Sequence, residues 1–449
     1  MDIDRRRLIA ISALTSMASA ATLAAPAAAA PLAAFGVDAT TLGVRAGGGA
    51  EQTRMLQSAI DQTAAARVPL MLGPGEYRTG ELRLPTGAQL IGVRGATRLA
   101  FSGGAAVIGA RGADHVTLAG LVIDGGNRPM PDNGALVHLT QVRSIRIIDC
   151  EILNSSRNGI VLEAVEGSVS GTTIENATDA AIFSRDALGL TIQGNVVRGA
   201  GNNGILVWRT KEGDDGTLVI DNRIENVGAG RGGSGQYGNA VNVFRAGNVI
   251  VRGNRISRAA FSAVRGNAAS NLQIAGNTAT EVGEVALYSE FGFEGTVISN
   301  NTIDGAALGV SVTNFNEGGR LAVVQGNLIR NLFLRKDVES RGIGIAVEAD
   351  SVVTGNVIEG SPAYGIMIGW GRYLRDVSVT DNLIRNAHIG IGVSTDPSAG
   401  TALITNNLIT GAKDGAIRAM SGPTAIGPDL AQASAEAYRN LAVYANVAR

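Results

Sequence analysis

Several things are scarce in this chain of 449 residues, and each scarcity narrows what it can be. Cys150 is the single cysteine, so no intramolecular disulfide can form. Aromatic residues make up 4% and charged residues 17%, with only Lys211, Lys336 and Lys413 as lysines and a formal net charge of −1. Nucleic-acid binding leaves a cluster of positive charge, and none is present, so no nucleic-acid partner is expected. The three histidines, His115, His138 and His388, are widely scattered, which supports neither a zinc site nor a Ser-His-Asp triad. Asp214 and Asp215 are the best carboxylates for Ca²⁺, but no D-x-D-x-D pattern surrounds them, so calcium is unsupported and no cofactor is evident. After the first thirty residues no apolar run is long enough to span a membrane.

Glycine, by contrast, is abundant at 61 residues, and it accompanies many Val, Ile and Asn. That mixture favours turn-rich β structure over helical bundles. The opening MDIDRRRLIAISALTSMASAATLAAPAAAA places a basic patch before an Ala-rich, weakly apolar run with A-x-A sites, the pattern of an export signal over 1–30. Arg5, Arg6, Arg7, Leu8 and Ile9 resemble a twin-arginine motif. This implies the Tat translocon as a transient partner and a periplasmic or secreted mature chain. Cys150, within RIIDCEI, reads as a small core residue.

A repeat dominates the rest. IQGNVV, IDNRI, VRGNRI, IAGNTA, ISNNTI, VQGNLI, VTGNVI, VTDNLI and ITNNLI place Asn at 195, 222, 254, 277, 301, 327, 356, 382 and 407, spaced 27, 32, 23, 24, 26, 29, 26 and 25 residues apart. A second block follows each Asn, as in NGILV, NAVNV, VALYS and IGIAV. Each unit thus holds two short period-2 apolar segments, too short for helices. One unit cannot bury its apolar face alone, but a stack of them can. Stacked strands lie about 4.8 Å apart, so each Asn can bond its equivalent one coil away. The pattern predicts an all-β, single-stranded parallel β-helix of about twelve coils with an internal asparagine ladder.

The caps follow from the exposed strand edges at the two ends. QTRMLQSAIDQTAA, residues 52–65, has apolar Met55, Leu56, Ala59 and Ile60 and predicts an amphipathic capping helix. DLAQASAEAYRNLAVYANVAR suggests a short helix and a closing strand. The expected organisation is a signal peptide over 1–30, an N-terminal cap and first coils over 31–115, repeats over 116–420 and a C-terminal cap over 421–449.

The segment LQSAID, followed by VPLMLGPGEYRTGELRLPTGAQLIGV, resembles the opening of pectate-lyase-like right-handed β-helix proteins. Pro74, Gly75, Glu76 and Tyr77 give a variant of P-x-G-x-Y, and Leu90-Ile91-Gly92-Val93-Arg94-Gly95 supplies the turn. With its signal and Asn repeats, nearly the whole chain resembles the twin-arginine-translocated repetitive proteins, a group without an assigned function. The wider β-helix group implies polysaccharide lyases, epimerases, hydrolases and non-catalytic binders. Neither a row of aspartates for a calcium-dependent lyase nor a paired-Asp hydrolase motif occurs here.

Period 2 also sorts the outward residues. One outward column reads Val161, Phe183, Leu206, Asn242, Arg265, Tyr288, Ser311, Ala346, Met367, and a second reads Glu163, Arg185, Trp208, Phe244, Asn267, Glu290, Thr313, Glu348. The longest loops, RTKEGDD, GAGRGGSGQYG and LFLRKDVES, flank the middle of these columns. They are expected to wall a groove with Arg209, Arg231, Tyr237, Arg245 and Asn314. Arg265, Tyr288 and Glu290 are the candidate catalytic residues: Arg265 to neutralise a uronate carboxylate, Tyr288 or Glu290 to move a proton. Trp208, Arg209, Asn242, Phe244, Arg245, Asn267, Asn314 and Trp370 are the candidate glycan-binding residues, with Trp208, Arg245 and Trp370 flanking the patch. As an exposed residue, Arg265 is expected to tolerate truncation without loss of stability. Two readings stay open: an enzyme acting on an acidic polysaccharide, and a non-catalytic envelope protein that binds a glycan. A long solenoid also produces polar clusters by chance, which would make this face an ordinary wet wall.

Overall fold

The computed structural model describes residues 35–47, 49–232, 235–335 and 341–449. The export signal expected over 1–30 and Lys336 lie outside the described residues. A typical coil carries three short strands. In residues 272–290 these are Leu272–Ala275, Thr278–Thr280 and Val285–Glu290. In later coils the second and third run together, as in Val357–Ile368 and Leu383–Ser394. First strands stack into a 16-stranded sheet, and the second and third strands into one of 28 strands. Successive coils pair in parallel, as in Leu272↔Thr296 and Arg265↔Tyr288. The result is an all-β, right-handed parallel solenoid of about 14 turns. The asparagine series undercounts the turns because the first coils carry no Asn marker.

Like side chains stack at like positions inside. Ile274, Ile298, Val324, Val353, Val379 and Ile404 pair one to the next along the first sheet, all fully buried. Each such column is an aliphatic stack at strand spacing, which is how units too small to bury their own apolar face form one core. The N-G-I block has a steric origin. A Cβ at Gly204, in Asn203-Gly204-Ile205, would collide with the carbonyl oxygen of Ala240 in the next coil.

The turn between first and second strands explains the GN, DN and NN dipeptides. The residue before each ladder Asn has a left-handed backbone, with φ from 57° to 68° at Gly194, Asp221, Gly253, Gly276, Asn300, Gly326, Gly355, Asp381 and Asn406. Gly, Asn and Asp adopt that conformation most readily. The Asn itself turns inward. Asn277 Oδ1 accepts the backbone N–H of Asn254 at 3.0 Å and its Nδ2 at 2.9 Å. Asn277 Nδ2 donates to Val251 O and to Asn301 Oδ1, both at 3.0 Å. The ladder runs one rung beyond the expected series, to Asn446. At its other end Thr172 and then Cys150 occupy the same turn position, with Cys150 N–H donating to Thr172 Oγ1 at 3.3 Å. Cys150 is buried in the core, as expected.

The helix Thr53–Ala65 covers the first coils with Leu56, Ala59, Ile60, Thr63 and Ala64. Met55, expected on that apolar face, is instead exposed. The short helix expected near residue 430 does not form. The Asp429 carboxylate accepts the N–H groups of Ala416, Ile417 and Ala431, which ties the segment to the neighbouring strand as turns. Leu441–Tyr444 then closes the first sheet against Ala402–Thr405. Among the described residues no helix is long and apolar enough to cross a membrane.

Candidate functional site

Strand pairing sets the outward columns. Leu206, Asn242, Arg265, Tyr288, Ser311, Ala346 and Met367 are consecutive partners. Trp208, Phe244, Asn267 and Glu290 form the adjacent series. Arg265 and Asn267 therefore sit one coil from Tyr288 and Glu290.

The patch is covered rather than open. Arg265 and Glu290 are 7% and 3% exposed. Arg265 Nε donates to Glu290 Oε1 at 2.6 Å, with a second contact from its Nη2. Asn267 Nδ2 donates to the same oxygen at 3.0 Å. The cover is the loop through Gly235, Gln236 and Tyr237, and a Cβ at Gly235 would collide with the Arg265 guanidinium. Buried asparagines pin that loop: Asn239 Nδ2 donates to Gly235 O at 2.7 Å, and Asn203 and Asn242 donate to Gln236 O at 3.2 and 3.1 Å. The expectation of a freely exposed Arg265 is thus corrected. Taking both groups from water has a desolvation cost, which their mutual charge-assisted hydrogen bond and the bond from Asn267 offset.

Tyr288 belongs to a small apolar cluster with Val285, Leu308, Ile343 and Ala346. Burial first, and then the negative charge of Glu290, pushes its phenol well above the ordinary tyrosine range.

Beside the covered pair a cavity of about 490 Å³ opens. Leu206, Trp208, Asn242, Phe244, Arg265 and Asn267 line it from the strands, and Asn203, Gln236, Tyr237 and Phe291 complete it. Its wall continues a row of rings. Phe183 and Trp208 have centroids 6.0 Å apart, and Trp208 and Phe244 4.9 Å, with interplanar angles of 52° and 57°. Arg185 and Arg245 lie over the outer two rings, 5.9 and 4.8 Å from their centroids. Arg185 is paired with Glu163, whereas Arg245 makes no ion pair with a described residue. Trp208 remains 38% exposed.

Phe291, Gln236 and Asn203 were not among the expected site residues. Phe291 directly follows Glu290 with a left-handed φ of 58°, a conformation with no sequence signal in an aromatic residue. Asn314 fixes it by accepting its N–H at 3.3 Å, so Asn314 supports the wall from the next coil.

Three expected residues lie elsewhere. Arg209 donates to Ala187 O at 3.4 Å and lies 3.9 Å from the buried Asp215, because the strand bulges between Trp208 and Gly213. Arg231 pairs with Asp179 at 2.6 Å. Trp370 follows Met367, four strand steps beyond Arg265, and bridges to Tyr373. It does not flank the cavity. The Asp214 carboxylate accepts from Asn248 and that of Asp215 from Thr217. Among the described residues no three His, Cys, Asp or Glu side chains are grouped to hold a metal ion.

Comparison with known proteins bears on the fold. No curated protein matches the chain. Among solved structures, the N-terminal fragment of bacteriophage phi29 gene product 12 is similar at 15% identity and TM-score 0.57, covering 86% of this chain and 69% of that one. The pre-mature phi29 gene product 12 aligns at 14% identity and TM-score 0.52, over 86% of this chain and 55% of that one. The catalytic unit of a GH87 alpha-1,3-glucanase from Streptomyces thermodiastaticus strain HF3-3 aligns at 16% identity and TM-score 0.48, over 89% and 68%. At these identities the likeness is one of fold alone. A family model described as "Right handed beta helix region" matches residues 96–224 and 211–375, well over half of the chain. Parallel strand stacking, the asparagine ladder and this match together place the chain in the right-handed beta helix family.

Proposed function

We propose that the chain is an exported protein that binds a polysaccharide in the cavity over Trp208 and Phe244. The observation that carries this reading is the row Phe183, Trp208, Phe244 on three adjacent coils. Strand spacing is about 4.8 Å, close to a sugar repeat of about 5 Å. Exposed rings beside polar groups suit stacking against the apolar faces of sugars, while Asn242, Asn267 and Gln236 supply hydrogen-bonding groups to hydroxyls. Arg245, without an ion-pair partner among the described residues, favours an acidic glycan.

Binding without turnover is the better supported form. The Glu290 oxygen that would move a proton already accepts from Arg265 and Asn267, and neither Glu290 nor Tyr288 lines the cavity. One observation favours a lyase, epimerase or hydrolase instead: Arg265 lines the cavity and is in register with Tyr288, next to Glu290. In that case Arg265 neutralises a uronate carboxylate and Tyr288 or Glu290 handles the proton.

Arg5 and Arg6 support export through the twin-arginine route to the periplasm or beyond, in the manner of the twin-arginine-translocated repetitive proteins. The deciding experiment incubates the mature protein with acidic and neutral polysaccharides and follows both reversible binding and product release. Unchanged glycan recovered from the complex supports the binder, released product supports the enzyme, and no interaction with any glycan sinks both.

A further inference from the structure

The face that carries the aromatic row holds a second cavity nearer the N-terminus, of about 470 Å³. It is joined to the first by register. Arg111 pairs with Thr140, Thr140 with Glu163, Glu163 with Arg185 and Arg185 with Trp208. Thr140 and Trp208 thus occupy one outward column three strand steps apart, about 14 Å. The floor is shallow in side chains: Gly109 stands in the outward column where later coils carry larger residues such as Phe183.

Two polar groups in this cavity lack partners. Nε2 of His138 is shielded from solvent and makes no hydrogen bond to a described residue. Its nearest carboxylate, Glu163, is 3.8 Å away, too far for a hydrogen bond. Glu163 is also engaged already, by Arg185 and by Thr140 Oγ1 at 3.4 Å. Arg111 is exposed and makes no side-chain hydrogen bond or ion pair to a described residue. The acid that lines the cavity, Glu81, is met by Arg83 at 3.4 Å. Nε2 itself is closed off, so His138 meets the cavity with the rest of its ring, and the exposed Arg111 guanidinium is the group open to a ligand atom.

Building on the proposed glycan reading, we infer that this cavity is a second subsite of the same groove and takes the carboxylate of a uronate residue. Arg111 supplies the counter-charge, and His138 and Thr140 form the wall against which the sugar lies. An acidic chain stacked on Phe183, Trp208 and Phe244 then runs along the solenoid axis, and about two further sugar residues carry it from Phe183, two strand steps from His138, to the second cavity. The bound ligand is therefore an acidic oligosaccharide longer than the aromatic row alone can hold.

The test uses trimers and octamers of galacturonate and of mannuronate, with their carboxyl-reduced counterparts. Trp208 fluorescence, in a Trp370→Phe background, reports the first site. The imidazole NMR signal of His138 reports the second; the chain has three histidines, and a His138→Gln variant assigns the signal. The expected result is that a uronate octamer quenches Trp208 and shifts the His138 signal, while the trimer quenches Trp208 alone. Arg111→Ala should weaken octamer binding about tenfold and leave trimer binding unchanged, with Arg111→Lys recovering part of the loss. A thermal melt of each variant excludes unfolding as the cause. If a uronate octamer quenches Trp208 but leaves the His138 signal unmoved, or binds Arg111→Ala as it binds the parent, the second subsite is wrong and the first stands. If only carboxyl-reduced chains quench Trp208, the uronate assignment is wrong. If no glycan quenches Trp208, both the groove and its extension fall.

Discussion

Arg265 and Glu290, from adjacent coils, share a 2.6 Å hydrogen bond from Nε to Oε1 beneath a loop that leaves both nearly without solvent contact. Removing one partner strands the other as a buried, uncompensated charge. Arg265→Ala or Glu290→Ala is therefore expected to cost about 3–5 kcal/mol, whereas a double replacement with apolar residues of similar volume should cost less than either. Chemical denaturation of the three variants measures this. Single variants as stable as the parent would mean the pair is open to water.

The ladder makes a second stability prediction. Asn277→Ala and Asn301→Ala each remove an acceptor and a donor that serve buried backbone groups, so each should lose roughly 1–3 kcal/mol. Asn446→Ala, at the half-exposed last rung, should lose less. Thermal melts that do not separate the inner rungs from the last would contradict a cooperative ladder.

Cys150 sets a pH expectation. Burial pushes its thiol up to about 11. An unfolded cysteine titrates near ~8.5, so the folded state holds the proton more tightly. The stability this contributes is fully present below the unfolded value and is lost as pH rises toward about 11. The folded protein should also react slowly with a thiol reagent at pH 8 and quickly once denatured. Rapid labelling of the native protein would show the turn to be open.

Ligand binding should depend on the rings. Trp208→Ala and Phe244→Ala are expected to weaken glycan binding by about thirtyfold each, the scale of losing an aromatic anchor. Trp370→Ala, outside the cavity, should bind as the parent does. Isothermal titration against the tightest polysaccharide makes the comparison, and equal loss at Trp370 would move the site.

Export is testable in the intact cell. With Arg5 and Arg6 both replaced by Lys, the precursor should remain in the cytoplasm, as judged by fractionation. Normal delivery of that variant would exclude the twin-arginine route.

The repeat alone determined the coil, the ladder and the register. A strand's side chains alternate strictly, and identical coils stack identical positions, so Asn277 had to meet Asn254 and Asn301, and Arg265 had to meet Tyr288. Local pattern translates directly into neighbourhood in such a fold. What departs from the period was decided by tertiary structure. The bulge after Trp208 turned Arg209 toward Asp215, and Asp429 replaced an expected helix with turns. The loop at Gly235 closed over Arg265, and the left-handed turn at Phe291 brought that ring to the cavity. Loops and bulges find their positions through contacts made by no periodic rule, and those contacts convert an exposed outward column into a buried ion pair beside an open row of rings.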